Sequence, residues 1–159
     1  MYLALKFIHI LAVILFLGNI TTGLYWRFHA EGSRDPRIIA HAFEGIIRSD
    51  RWFTIPGVWV ILLAGVGTAI LGRLPILGTG WILWSIVLFT ISGLAFILRV
   101  APLQAQIVKL ARAGMESGQF DWAGYRTLVR AWEIWGLVAL LTPFGAVALM
   151  VFKPSLPGL

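Results

Sequence analysis

The sequence predicts an all-α integral membrane protein, an antiparallel four-helix bundle, and three observations carry that prediction. Of 159 residues, 59% are hydrophobic and only 13% charged, with a mean hydropathy of +0.87. A water-soluble domain of this size cannot cover so apolar a chain with polar surface. The apolar residues also fall into four stretches, at about 2–26, 52–71, 81–100 and 131–152. Each is close to the ~20 residues a helix needs to cross the hydrocarbon core. Finally, Trp26, Trp52, Trp81, Trp84 and Trp132 cluster at span ends, as an aromatic belt requires. Four spans use most of the chain, so residues 1–159 read as one domain.

The first stretch, Met1 to Trp26, carries only Lys6 and His9 as titratable side chains within the apolar run, and lacks a small-residue cleavage site. After it, Asp35 can cap a short amphipathic helix with Pro36 at the first helical position. Ile39, Ala42, Phe43, Ile46 and Ile47 form its apolar face, and Arg37, His41, Glu44 and Arg48 its polar face. Such a helix either lies on the membrane surface or extends span two. Ser49 and Asp50 then offer a cap for span two, with Pro56 in its first turns. Gly72 to Gly80, with Pro75, reads as a tight turn into span three. Pro102 is expected to kink the inner continuation of span three, and Gly114 and Gly118 to break it, before Tyr125 starts span four.

The net charge of +6 resolves once it is placed along the chain. Arg27, Arg34, Arg37, Arg48 and Arg51 lie in one connection, and Arg99, Lys109, Arg112, Arg126 and Arg130 in the other. Only Lys6, Arg73 and Lys153 lie on the opposite side. The positive-inside rule therefore predicts both long loops in the cytoplasm and both termini periplasmic. Aromatic residues interleave with spans rather than with basic runs, which argues against nucleic acid as a partner. With no cysteine there is no thiolate metal site, iron–sulfur cluster, covalent c-type haem or disulfide. A P-loop, nucleophile elbow and HExxH are also absent.

Within the spans, Lys6, His9, Phe16, Asn19, Gly23 and Arg27 share one stripe at helical spacing. Span two offers small residues at Gly57, Ala64, Gly65, Thr68 and Gly72, admitting another backbone or a flat cofactor. Span three repeats polarity at Ser85, Ser92, Arg99 and Gln106, and span four aligns Glu133, Gly136, Leu140 and Pro143. Arg99 and Glu133 lie at comparable depth, where pairing would reduce the cost of both charges.

His9 is the residue that most needs explaining, because an ionisable group about 10 Å below the surface is expensive to keep there. A neutral imidazole bonded to a neighbouring helix satisfies it, and so does axial ligation of a b-type haem between helices. Met150, near the same end of span four, is the only soft candidate for a second axial ligand. Lys6 and Lys153 are candidates to pair the propionates of that haem. His29 and His41 read as interfacial and surface residues. Together they are candidates for a second haem, with Arg27, Arg48, Arg51 or Arg99 pairing its propionates.

Lys6-Phe7-Ile8-His9, followed by an apolar run to Gly18, resembles the opening of a family of predicted four-span bacterial membrane proteins of unknown function. The likeness continues through Asp50-Arg51-Trp52-Phe53-Thr54-Ile55-Pro56, then Gly65, Trp81, Ser85, Gly93, Pro102, Gln106, Leu110, Tyr125, Arg130, Trp132 and Gly136. It closes with Leu149-Met150-Val151-Phe152-Lys153-Pro154 and covers essentially the whole chain. That family is grouped with HemJ-type protoporphyrinogen oxidases and the copper-resistance protein D membrane domain. HemJ-type proteins are similar in carrying an early Lys-x-x-His in span one, and they bind b-type haem.

The resemblance implies a bacterial inner-membrane protein with haem b at His9, serving electron transfer or redox chemistry with a quinone or other redox partner. A HemJ-like porphyrinogen oxidase is the enzyme alternative. A cofactor-free structural or accessory protein, dimerising through the small face of span two, is the non-enzyme alternative. Copper transport is disfavoured by the scarcity of soft ligands.

Overall fold

The computed structural model describes all 159 residues, and every regular element is helical. In order these are α1 (Tyr2–Gly32), α2 (Pro36–Ser49), α3 (Ile55–Leu71), α4 (Gly80–Ala95), α5 (Ala101–Ser117) and α6 (Trp122–Phe152). A π turn over Asp50–Thr54 fuses α2 to α3, and a second over Phe96–Val100 fuses α4 to α5. The chain therefore forms four rods, and each is long and apolar enough to cross a membrane.

The two central rods outrun the bilayer. Residues 36–71 and 80–117 make rods of 36 and 38 residues. At 1.5 Å per residue these are about 54 and 57 Å long, against a hydrocarbon core of ~30 Å. The excess gathers at the end carrying the Arg27–Arg51 and Arg99–Arg130 segments, called here the basic end. There α2, α5, the first half of α6 and the end of α1 enclose the main core: Ile39, Phe43, Ile107, Val129, Tyr125 and Trp132 are all buried. The two expected loops are thus largely helical and packed.

Toward the opposite end the rods pair off, α1 along α3 and α4 along α6. A small core of Ala12, Phe16 and Ile61 lies between α1 and α3. Phe16 reaches across to Phe89 of α4, with ring centroids 5.5 Å apart. Apolar residues facing away from the bundle are exposed, Leu63 at 71% for example, as lipid contact requires.

Local chemistry explains the ends and the interruptions. Asp35 accepts from the Arg37 amide with Pro36 at the first helical position, and Asp121 accepts from the amides of Ala123 and Gly124. Gly118 closes α5 with φ of 70°, a left-handed geometry glycine adopts at little steric cost, whereas Gly114 is carried through the helix. Each π turn ends two residues before a proline, Pro56 or Pro102. A proline ring presses on the carbonyl four residues back, here Trp52 and Leu98, both inside the π turns. Widening the helix there removes the clash.

Pro143 is handled differently, inside an unbroken α6. It supplies no N–H to the carbonyl of Ala139, four residues earlier, and the Ser92 hydroxyl of α4 donates to that carbonyl at 2.6 Å. Ser85 adds a bond to the Ala146 carbonyl, so the Ser85/Ser92 seam is the α4–α6 seam.

Three expectations need correction. Asp50 does not cap a new helix. The α2 rod runs on through it, and its carboxylate is buried rather than offered to free helix amides. The repeat Ser85, Ser92, Arg99, Gln106 fails after Ser92, because the π turn inserts a residue and rotates the buried face to Val100, Gln104 and Ile107. Arg99 does not pair with Glu133. It is exposed, its guanidinium 5.4 Å from the Trp135 ring centroid.

Candidate functional site

The polar stripe expected on α1 faces the bundle: Phe16, Gly23 and Arg27 are buried, and His9 and Asn19 each hydrogen-bond to a neighbouring helix. It defines three polar levels along one helix.

At the level nearest the N-terminus, His9 Nδ1 lies 2.9 Å from the backbone carbonyl of Ile61 on α3. A carbonyl only accepts, so Nδ1–H donates to it, and Nε2 makes no hydrogen bond within the chain. Gly65 makes this contact feasible. Its own amide is the helical partner of the Ile61 carbonyl, and a Cβ there would come within 3.0 Å of the imidazole. The small face of α3 therefore receives side chains of α1: Gly57 meets Phe16, Gly65 meets His9, and Gly72 meets Tyr2. Around Gly65 the space beside α3 is filled by the imidazole itself.

The middle level is a buried carboxylate. Asp50 Oδ1 accepts from Thr54 Oγ1 at 2.8 Å and Asn19 Nδ2 at 3.2 Å, and Oδ2 accepts from Gln104 Nε2 at 3.0 Å. Asn19 also donates to Thr54 Oγ1 at 2.9 Å. Donors from α1, the first π turn and α5 thus converge on one acid, which forms no ion pair.

At the basic end, Arg27 bridges Glu31 and Glu133, each at 2.8 Å. Its guanidinium is almost fully buried, while Glu133 is a third exposed. Beside it Arg27 Nε, Tyr125 Oη and Trp132 Nε1 are buried donors without a hydrogen bond.

The remaining candidates are dispersed. Met150 sits on α6, which packs mainly along α4, whereas His9 sits on α1, which packs mainly along α3. Lys153 lies over the Trp81 ring at 5.4 Å, and Lys6 is exposed. His29 is exposed and stacked on Tyr25, and His41 and Arg51 are exposed. No group of three or more His, Asp or Glu side chains is placed to hold a metal ion.

Sequence reasoning missed the Asp50 network and the Arg27–Glu133 bridge. The first did leave a trace, an acid with a threonine four residues on, one helical turn away at the start of span two.

Four membrane-length apolar rods with their polar groups turned inward define a four-span integral membrane helical bundle. Residues 3–154 match the family described as predicted integral membrane protein (DUF2269), and the chain belongs to that family. No curated protein and no solved structure gives a significant match.

Proposed function

We propose that this protein is a membrane-embedded b-type haem protein serving electron transfer or redox chemistry, with His9 as an axial ligand and its termini on the periplasmic side of a bacterial inner membrane. The observation that carries the reading is the His9–Ile61 bond. It orients the ring through Nδ1 and leaves Nε2 without a partner in the chain, the arrangement an axial imidazole needs. One such imidazole on an unbroken span suffices for a single axial ligand.

Support for a second axial ligand is weak, since Met150 belongs to the other helix pair. Haem, when bound, supplies a reversible one-electron iron couple. The chain's own contribution would be to orient the imidazole through Nδ1, leave its far nitrogen without a protein partner, and surround it with apolar spans. Lys6, exposed near the same end, is the available cation for a propionate.

One observation favours a second reading, a cofactor-free accessory protein. Gly65 is filled by the imidazole, so the histidine also serves as a helix-packing group. The two readings part on colour. Protein purified in detergent from haem-replete cells is expected to show a Soret band and sharp reduced α and β bands, with one haem per chain. A featureless spectrum refutes the haem reading.

A further inference from the structure

Where the end of α1 meets the start of α6, Phe28, Glu31, Gly32, Arg34, Trp122 and Arg126 line an open cleft of about 970 Å³. Two arginines stand over it and both are exposed. Arg126 is steadied by its own Nε, which donates to the Trp122 carbonyl at 3.2 Å, leaving its terminal N–H groups free. Arg34 follows α1 directly, its backbone folded back so that its amide donates to the Glu31 carbonyl at 3.1 Å. The one lining carboxylate, Glu31, shares the Arg27 guanidinium with Glu133, so that trio carries one negative charge and Arg34 and Arg126 leave the cleft net positive.

Phe28 and Trp122 supply apolar walls. Glu31 lies five residues beyond the belt residue Trp26, about 7.5 Å along the helix, which is headgroup depth.

We infer that this cleft binds the phosphodiester headgroup of an anionic phospholipid, with Arg34 and Arg126 pairing the phosphate and an acyl chain lying along Phe28. Guanidinium groups suit phosphate through forked, charge-assisted hydrogen bonds. A basic pocket between helices at headgroup level is the setting in which such lipids are recognised. The inference is independent of haem.

The test uses the full chain, delipidated in neutral detergent, with phosphatidylglycerol, phosphatidylcholine or inorganic phosphate added back. Ligand that binds only the folded state raises Tm. Phosphatidylglycerol is expected to raise Tm and to be retained in native mass spectra, whereas phosphatidylcholine and phosphate do neither. Arg34→Gln/Arg126→Gln should abolish the rise. Arg37→Gln/Lys109→Gln removes the same charge from exposed sites outside the cleft and should preserve it.

An equal response in the cleft variant and the control overturns the inference, as does an equal rise with phosphatidylcholine. An equal rise with inorganic phosphate also overturns it, by assigning the site to a soluble anion. If the double variant lacks native helicity, Arg34→Gln alone is read in its place.

Discussion

The Ser92 hydroxyl lies 2.6 Å from the carbonyl oxygen of Ala139, the one carbonyl in α6 that Pro143 deprives of its helical N–H. Side-chain hydrogen bonds between membrane helices average about 0.6 kcal/mol, because the unfolded state in lipid finds other partners. Here the alternative is a carbonyl without a donor, so Ser92→Ala is expected to cost about 1–3 kcal/mol. In a Pro143→Ala background a backbone N–H returns to that carbonyl, and the same serine change should cost clearly less. A double-mutant cycle on detergent unfolding measures the difference. Additive costs would show that the proline and the serine are unrelated.

Arg27 and its two carboxylates are asymmetric. Removing the buried guanidinium strands Glu133 and Glu31, whereas removing Glu31 leaves Arg27 its bond to Glu133. Arg27→Ala should therefore destabilise by about 2 kcal/mol, through lost packing and two charge-assisted hydrogen bonds, because both carboxylates are partly exposed and stay hydrated. Glu31→Ala, at a partly exposed site, should cost well under half of that. Thermal unfolding of the two variants side by side decides the point, and equal losses would contradict it.

The Asp50 cluster makes a prediction about shape against charge. Asp50→Asn keeps the outline, and a half-turn of the Gln104 amide lets Oε1 accept from the new NH2 while the remaining oxygen still accepts from Asn19 and Thr54, so it should cost under about 1 kcal/mol. Gln104→Leu leaves the Oδ2 oxygen of a buried carboxylate unbonded and should cost about 1.5–3 kcal/mol, the range for hydrogen bonds to charged groups. The exposed Gln106→Leu, two residues on, should be nearly neutral. A neutral Gln104→Leu would mean that the cluster is hydrated.

Two glycines with opposite surroundings test the packing of α1 on α3. At Gly93 a Cβ meets nothing within 4 Å, so Gly93→Ala should be neutral or stabilising by up to about 1 kcal/mol through helix propensity. At Gly65 a Cβ would press on the imidazole at 3.0 Å, so Gly65→Ala should displace His9 from the Ile61 carbonyl. The histidine ring 15N resonances report that loss directly, and unchanged resonances would show that the groove yields.

What was legible in the sequence follows from where helical period holds. The α1 stripe from His9 to Arg27 was readable because α1 runs unbroken, so the 3.6-residue period carries through. The stripe beginning Ser85–Ser92 was readable only as far as the second π turn, after which one inserted residue moved the buried face. The prolines that mark both π turns were visible, but proline specifies a disturbance and not which form it takes.

Asp50 was misread because a Ser-Asp pair before an apolar run has the local chemistry of a helix cap. Its burial depends on Asn19 and Gln104, respectively 31 and 54 residues away. Glu133 was matched to Arg99 by depth alone, while its real partner Arg27 lies on a helix that sequence order does not place beside it.

The central claim is that His9 Nε2 ligates haem iron, and the absorbance spectrum of His9→Ala with and without added imidazole tests it most directly. The account predicts that the variant folds with native helicity, loses the reduced α and β bands, and regains them when imidazole fills the space left by the side chain. Wild-type bands that persist unchanged in the variant, or a wild-type protein with no haem bands at all, would contradict it.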